Sequence, residues 1–339
     1  MKKVLSIFLA IAMLGSLLVM SGCSNSKKAV DNGAAAGKKI TLKLSHQMSP
    51  DHTLHLSALK FAELVKAKTN GNVEVQVFPS GQLGTEKDNA AALKLGTLDM
   101  GMVAVEFYPS FVPESAVLVL PYMYRDYAHL DRVLNSDVAQ DVSNMVLQKT
   151  NIRVLTYLPM AFRQMFTVDK EIKTVADLQG VKMRVPESPI YVATFKQFNA
   201  VPTPVAWGEV YTGLQTGVIK GVENTPEAIV SASINEVTKY MNITNHLEGP
   251  STISISEAVY KKLPKEYQEA IISAAQEAEK YELDLTISRD KEAREKLAKT
   301  LTITEADATS FKSSVKYDEI NLVNTEKGKE LIKRLSAIQ

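Results

Sequence analysis

Val181-Lys182-Met183-Arg184-Val185-Pro186 is followed by Pro204-Val205-Ala206-Trp207-Gly208-Glu209-Val210-Tyr211-Thr212-Gly213-Leu214-Gln215-Thr216-Gly217 and then by Gly221-Val222-Glu223-Asn224-Thr225-Pro226. In the first segment Val181, Met183 and Val185 alternate with Lys182 and Arg184, the period of two expected of a strand. A guanidinium in an apolar strand is costly to bury unless an anion meets it. Its planar fork suits a carboxylate, because two parallel N–H groups can meet two oxygens. Spacing alone leaves two partners open for Arg184: the carboxylate of a ligand, or an Asp or Glu of the protein itself.

At the start of the chain, Met1-Lys2-Lys3 is a short basic segment and Val4 to Met20 an apolar run. With Ser21 and Gly22 they read as a signal peptide over 1–22, too short and too near the terminus for a permanent span. Small residues precede the only cysteine, Cys23, in the manner of a bacterial lipobox, with Met20 where Leu is commoner. On that reading the Cys23 thiol is acylated and its lipid is the membrane anchor. An ordinary secretory signal with an incidental cysteine is the alternative. Residues 23–39 hold hardly an apolar side chain and read as a lipidated, flexible tether. The expected location is extracytoplasmic, in the periplasm or on the outer face of the cell membrane.

Of 339 residues, removal of the first 22 leaves 317, enough for two domains at about 100–200 residues each. One cysteine allows no internal disulfide, so the core must hold the fold. The 39 Lys and Arg side chains, less Lys2 and Lys3, leave 37 against 38 Asp and Glu. That balance gives no electrostatic footprint for nucleic acid. The sequence contains no Gly-x-Ser-x-Gly, no His-Glu-x-x-His, no P-loop and no dinucleotide-binding glycine fingerprint. The lone cysteine is taken up by the lipobox, so neither an enzyme nor a cofactor is expected. His46, Asp51, His52 and His55 cluster, and three imidazoles can hold zinc. Solvated histidines are the expectation, and no metal is assigned.

In the folded part, Ile40, Leu42 and Leu44 alternate with polar residues and predict a strand. Ser49 or Asp51 is expected to cap a helix that aligns Leu54, Ala58, Phe61 and Val65 on one face and ends at Asn70-Gly71. Val73, Val75 and Val77 predict a second strand, Ala90–Leu95 a helix, and Leu98 to Val105 a third strand. This order implies a parallel sheet with helices on its faces. From about Ile152, strands are expected at Val154–Tyr157, Met165–Val168, Val181–Val185 and Gly217–Val222. Helices are expected near Ala176–Leu178, Tyr191–Phe198 and Trp207–Leu214. Residues 265–299 lack Pro and Gly and are rich in Ala, Glu, Lys and Leu, as one helix of roughly 50 Å would be.

Phe61-Ala62-Glu63-Leu64-Val65, Phe78-Pro79-Ser80-Gly81-Gln82-Leu83-Gly84 and the three segments quoted first resemble the extracytoplasmic solute-binding proteins of tripartite ATP-independent periplasmic (TRAP) transporters, the DctP-type family. The resemblance implies an α/β, two-lobed periplasmic-binding-protein-like (Venus-flytrap) fold with a long helix spanning both lobes. Lobe I would take 40–160 plus 250–290, and lobe II 161–249 plus 291–339. It further implies a monomer that captures a small organic acid and delivers it to the permease's small and large membrane subunits. Trp207 and its hydroxyl-bearing neighbours lean toward a sugar acid or other hydroxylated acid. A lipoprotein that presents the bound acid to a signalling receptor is the alternative.

The same resemblance assigns roles. The family's arginine in Met/Ile-Arg-Val-Pro clamps the substrate carboxylate, which points to Arg184. Arg163, in Ala-Phe-Arg-Gln-Met, matches a second arginine that helps hold the anion, an exposed strand-end arginine being the alternative. Asn224 matches the asparagine of Asp-Gly-Gln-Glu-Asn-Pro, whose amide both donates and accepts. Lys220, Val222 and Thr225 depart from that segment. Trp207 stands where the family sets a bulky side chain against the ligand, with core packing as the alternative. Tyr211, one turn on, offers a hydroxyl. Gln47 and His46 end the first strand, where an α/β crevice is lined. Glu86, at a helix start, and Glu106, at the end of the third strand, are candidates to bond substrate hydroxyls or amines. Their alternatives are a helix-terminal charge and a solvated side chain. Two guanidiniums are thus expected to await a substrate's negative end inside a hinged cleft.

Overall fold

The computed structural model describes residues 39–339. The signal peptide, the tether and Cys23 lie outside the described residues. The first lobe begins β1 (Ile40–Ser45), α1 (Thr53–Lys68), β2 (Val73–Phe78), α2 (Glu86–Leu95) and β3 (Met100–Met102), with β1 parallel to both β2 and β3. Leu54, Ala58, Phe61 and Val65 are the buried apolar face of α1. Its cap differs from expectation. The ring of His52 accepts the Leu54 N–H at 3.1 Å, while Asp51 accepts the Ser49 hydroxyl at 2.6 Å. Asn70 and Gly71 end the helix with φ of 51° and 78°, the left-handed conformation that stops helices.

The third strand is shorter than the expected Leu98–Val105. The Ala104 N–H donates to Glu86 Oε1, and the chain then turns into a 3₁₀ segment at Val105–Ser110. Glu106 therefore sits in the first turn of that segment and does not end a strand. After α3 (Tyr127–Leu134), α4 (Asp137–Thr150) and β4 (Ile152–Leu158), the chain crosses to the second sheet.

There it forms β5 (Arg163–Thr167), β6 (Lys182–Val185), α5 (Pro189–Gln197), β7 (Val201–Pro204), α6 (Val210–Gln215), β8 (Gly221–Asn224), α7 (Pro226–Ser231) and β9 (Tyr240–Leu247). It returns as β10 (Ser251–Ser256), followed by α8 (Glu257–Tyr260), α9 (Lys265–Leu297), β11 (Thr302–Glu305), α10 (Ala308–Ser314) and α11 (Glu326–Ser336). The five-stranded sheet has the order β2-β1-β3-β10-β4 and the six-stranded sheet β11-β9-β5-β8-β6-β7. Both are mixed. The returning strand β10 runs against β3 and β4, and β5 runs against β8 and β9. The parallel pairing expected from βαβ order holds for β1–β3 in the first sheet, and in the second for β6 with β7 and β8 and for β11 with β9.

These are the two lobes of an α/β periplasmic-binding fold, joined where the chain crosses at 159–162 and 248–250. Helix α9, 33 residues and about 50 Å long, packs on α1 and β4 of the first lobe and on α7 of the second. Its buried face changes character along its length. Ile271, Ala274, Ala275 and Ala278 enter the first lobe's core, and Leu297 enters the second's. Between them the buried residues include Glu279, Glu282, Thr286 and Asp290. At the C-terminus, α10 packs on β9 of the second sheet, whereas α11 packs on α4 and the Pro113–Val119 turn of the first.

The lobes are closed on one another. One apolar cluster runs from Val103 and Phe107 through Met183, Ile190 and Phe195 to Phe311. Ser188 Oγ donates to the Glu106 carbonyl at 2.5 Å, and Lys87 meets Glu187 at 3.0 Å.

Candidate functional site: a cavity between the lobes

A small, largely enclosed cavity lies where the lobes meet. The first lobe contributes Gln47, Glu86 and Glu106, and the second Arg163, Arg184, Trp207 and Asn224. Seven of the nine ligand-binding residues read from the sequence therefore line one space. Met48, Leu54, Phe107, Met160 and Pro186 supply apolar walls.

Three neighbouring strands set the polar floor. Strand β8 lies between β5 and β6, with Gln164 opposite Asn224 and Arg184 beside Val222. Arg184 is 3 % exposed. Its Nε donates to the Val205 carbonyl at 2.8 Å, and its guanidinium carbon stands 5.4 Å from the Trp207 ring. Among the described residues no carboxylate lies within 4.0 Å of it. Burial draws its pKa down to about 10, with Glu223 opposing and the Arg163 charge adding to the fall. Asn224 turns its Oδ1 back to the Thr225 N–H at 2.8 Å, and its Nδ2 meets no acceptor among the described residues.

Arg163 is also buried, but its fork is taken. Nε donates to Glu223 Oε2 at 2.5 Å, and Nη2 to Glu223 Oε1 at 2.8 Å and to the Glu223 carbonyl at 3.1 Å. Of the two guanidiniums expected to await an anion, Arg184 faces the cavity with no carboxylate against it among the described residues, while Arg163 faces it as half of an internal ion pair. Burial works against the Arg163 cation, and the Glu223 carboxylate outweighs it, so the guanidinium pKa is raised. Burial likewise works against the Glu223 charge, yet Arg163 and His246 hold its carboxyl below the usual range. His246 Nε2 stands 3.6 Å from Glu223 Oε2, with the ring set edge-on to Phe195.

Two more carboxyls face the same space without a cation of their own. Burial, then the Glu106 charge, pushes Glu86 up to about 8, and burial pushes Glu106 up to about 7. Among the described residues, Glu106 Oε2 and the Tyr191 hydroxyl have no hydrogen-bond partner. Both crowd Gly249, where a Cβ would stand 2.8 Å from the Tyr191 hydroxyl and 3.2 Å from Glu106 Oε2. Only glycine lets the crossing backbone pass this close.

Two expected residues fall elsewhere. His46 is buried behind the strand end, with Nε2 3.1 Å from His55 Nδ1. Burial and the neighbouring His55 and His52 lower its pKa to about 3, so the ring is neutral. Tyr211 donates to Glu236 Oε2 at 3.3 Å on the exposed side of α6. Glu223 was the residue missed. It stands in the quoted Glu-Asn-Thr-Pro, but only the antiparallel β5–β8 register, which sets it opposite Met165 and diagonal to Arg163, brings the two together. Ser251 and Gly249 at the lobe crossing were likewise not read. Among the described residues there is no group of three His, Cys, Asp or Glu side chains able to hold a metal, and no helix long and apolar enough to cross a membrane.

Residues 44–319 match the family described as bacterial extracellular solute-binding protein, family 7 (DctP). A solute-binding protein of Roseobacter denitrificans is 35% identical over 289 residues, covering 85% of this chain and 88% of that protein. The 2,3-diketo-L-gulonate-binding periplasmic protein YiaO of Escherichia coli is 30% identical, covering 88% of this chain and 92% of its own. A crystal structure of a TRAP periplasmic solute-binding protein from Roseobacter denitrificans, with bound L-galactonate, superposes with a TM-score of 0.82 at 33% identity, over 88% of this chain and 99% of that one. The family match spans most of the chain and the fold agrees over 88% of it: this chain belongs to the DctP family of TRAP solute-binding proteins.

Proposed function

We propose that this protein captures a hydroxylated monocarboxylate of the sugar-acid class between its lobes and hands it to a TRAP permease of small and large membrane subunits. The observation that carries this reading is Arg184, a buried cation facing the cavity with no carboxylate against it among the described residues. A buried charge of that kind calls for an anion, and the free Asn224 amide nitrogen lies in the same lining to share it. Arg163 adds little net charge, because Glu223 cancels it. One effective positive charge suits one carboxylate.

Glu86 and Glu106 favour the rest of the assignment. Burial favours their protonated forms, which can donate to and accept from hydroxyl groups. The sugar acids bound by the relatives fit this chemistry. Trp207, stacked on Arg184, braces the guanidinium from the second lobe. The lipid on Cys23 would keep the protein at the membrane face, as a monomer, without covalent chemistry on its ligand. The test is a thermal-shift and calorimetric screen of galacturonate, glucuronate, L-galactonate and C4-dicarboxylates. Stabilisation by the monocarboxylate sugar acids, and none by the dicarboxylates, is the expected result. A preference for dicarboxylates overturns the assignment.

A further inference from the structure

We infer that Glu227 is a latch for lobe closure, acting from outside the ligand cavity by seating a second-lobe carboxylate on the N-terminus of a first-lobe helix. The inference rests on the reading of this chain as a binding protein whose lobes open and close. Glu227 stands in the first turn of α7, directly after the Asn224-Thr225-Pro226 bend. Its two oxygens cross to α1: Oε1 accepts the Thr53 N–H at 3.0 Å and Oε2 accepts the Thr53 hydroxyl at 3.0 Å.

The chemistry at the α1 terminus is matched to that carboxylate. The first N–H groups of a helix have no partner within it, and the helix dipole favours negative charge there. His52 satisfies the Leu54 N–H through Nδ1, which leaves the Thr53 N–H for Glu227. Because Nδ1 accepts, the ring proton belongs on Nε2, and that nitrogen points at Glu227 Oε2 from 3.8 Å with no other partner among the described residues. Thr53 and His52 are fully buried, and the Glu227 side chain is 14% exposed.

Position separates this contact from ligand binding. Neither Thr53 nor Glu227 lines the cavity, yet each is tied by the backbone to a residue that does. Leu54 follows Thr53, and Asn224 lies three residues before Glu227. The latch therefore forms only when the walls carrying Leu54 and Asn224 have come together. It adds to the stability of the closed form whatever acid is held, and it acts on release and not on capture. Lys87–Glu187, another ion pair joining these lobes, is more exposed and correspondingly weak.

The test uses the whole chain as wild type, Glu227→Gln, Thr53→Val and Thr53→Ser, with L-galactonate as the probe and stopped-flow fluorescence of Trp207 as the signal. Glu227→Gln is expected to release the probe about ten- to a hundredfold faster, the weight of a charged hydrogen bond, with its association rate nearly unchanged. Thr53→Ser keeps the hydroxyl and should release like wild type, whereas Thr53→Val should not. An unchanged release rate in Glu227→Gln overturns the latch. Small-angle scattering without ligand gives a second readout, in which Glu227→Gln should be less compact than wild type. If wild type binds none of the acids, the transport reading fails, and scattering alone decides the latch, with superimposable curves overturning it.

Discussion

Arg163 and Glu223 meet fork to fork across the β5–β8 pair, at 2.5 and 2.8 Å, whereas Arg184, one strand beyond on β6, has only a backbone carbonyl. Two arginines in one cavity wall therefore do different work. One is paired within the protein, and the other is the cation we propose meets the ligand.

That difference predicts opposite mutant phenotypes. Arg184→Ala should lose about 2–5 kcal/mol of ligand binding, the usual loss when one partner of a buried charge pair is removed. Its unliganded melting temperature should hold or rise, since a buried cation without a carboxylate partner has gone. Arg184→Lys should also bind weakly, because an ammonium lacks the fork. Calorimetry together with unfolding curves checks both halves.

Arg163→Ala should instead cost stability. It leaves the Glu223 charge buried and unpaired, a loss of roughly 3–5 kcal/mol. The double variant Arg163→Met with Glu223→Gln should recover much of that loss. If Arg163→Ala unfolds at the wild-type denaturant midpoint, the pair is not the brace described above.

Ligand affinity should fall as pH rises through about 7 and 8, the values of Glu106 and Glu86. Both values lie above the ordinary carboxyl range. The neutral acids that suit a hydroxylated anion are thus present at low pH and lost as each group ionises. Glu106→Gln stays neutral and should flatten the profile between pH 6 and 9. Isothermal titration across that range is the measurement.

Stability should carry its own pH slope through Glu282. Burial raises this carboxyl to about 8, with Ser57 as its hydrogen-bond donor. Its unfolded value is about 4.3, so the folded form is favoured below that pH and loses the advantage as pH climbs to about 8. Glu282→Gln should melt at a temperature less dependent on pH between 5 and 8 than the wild type.

Much of this arrangement was legible before any coordinates. Arg184 could be placed because Val181, Met183 and Val185 alternate around it, and α9 because 33 consecutive residues lack Pro and Gly. Strand β10 escaped because all six of its residues are buried, so Ser-Thr-Ile-Ser-Ile-Ser has no solvent face to give it a readable polarity. The Glu223 partnership escaped because it depends on the register of strands nearly 60 residues apart. His46 and Gln47 looked equivalent at the strand end, but they diverge. Gln47 reaches the cavity, and His46 turns inward to His55. Tyr211 was misplaced by treating Trp207–Leu214 as one helix, when the chain passes from 3₁₀ to α geometry at Val210.

The carboxyl and hydroxyl groups midway along α9 have a mechanical consequence. An interlocked apolar seam resists sliding, because every displacement opens voids. Hydroxyl-to-carboxyl links such as Ser57–Glu282 and Thr156–Glu279 can exchange partners, or admit water, as neighbouring helices shift. The strut is thus gripped at both ends and lubricated at its centre, so bending is concentrated over the middle turns while each end stays seated.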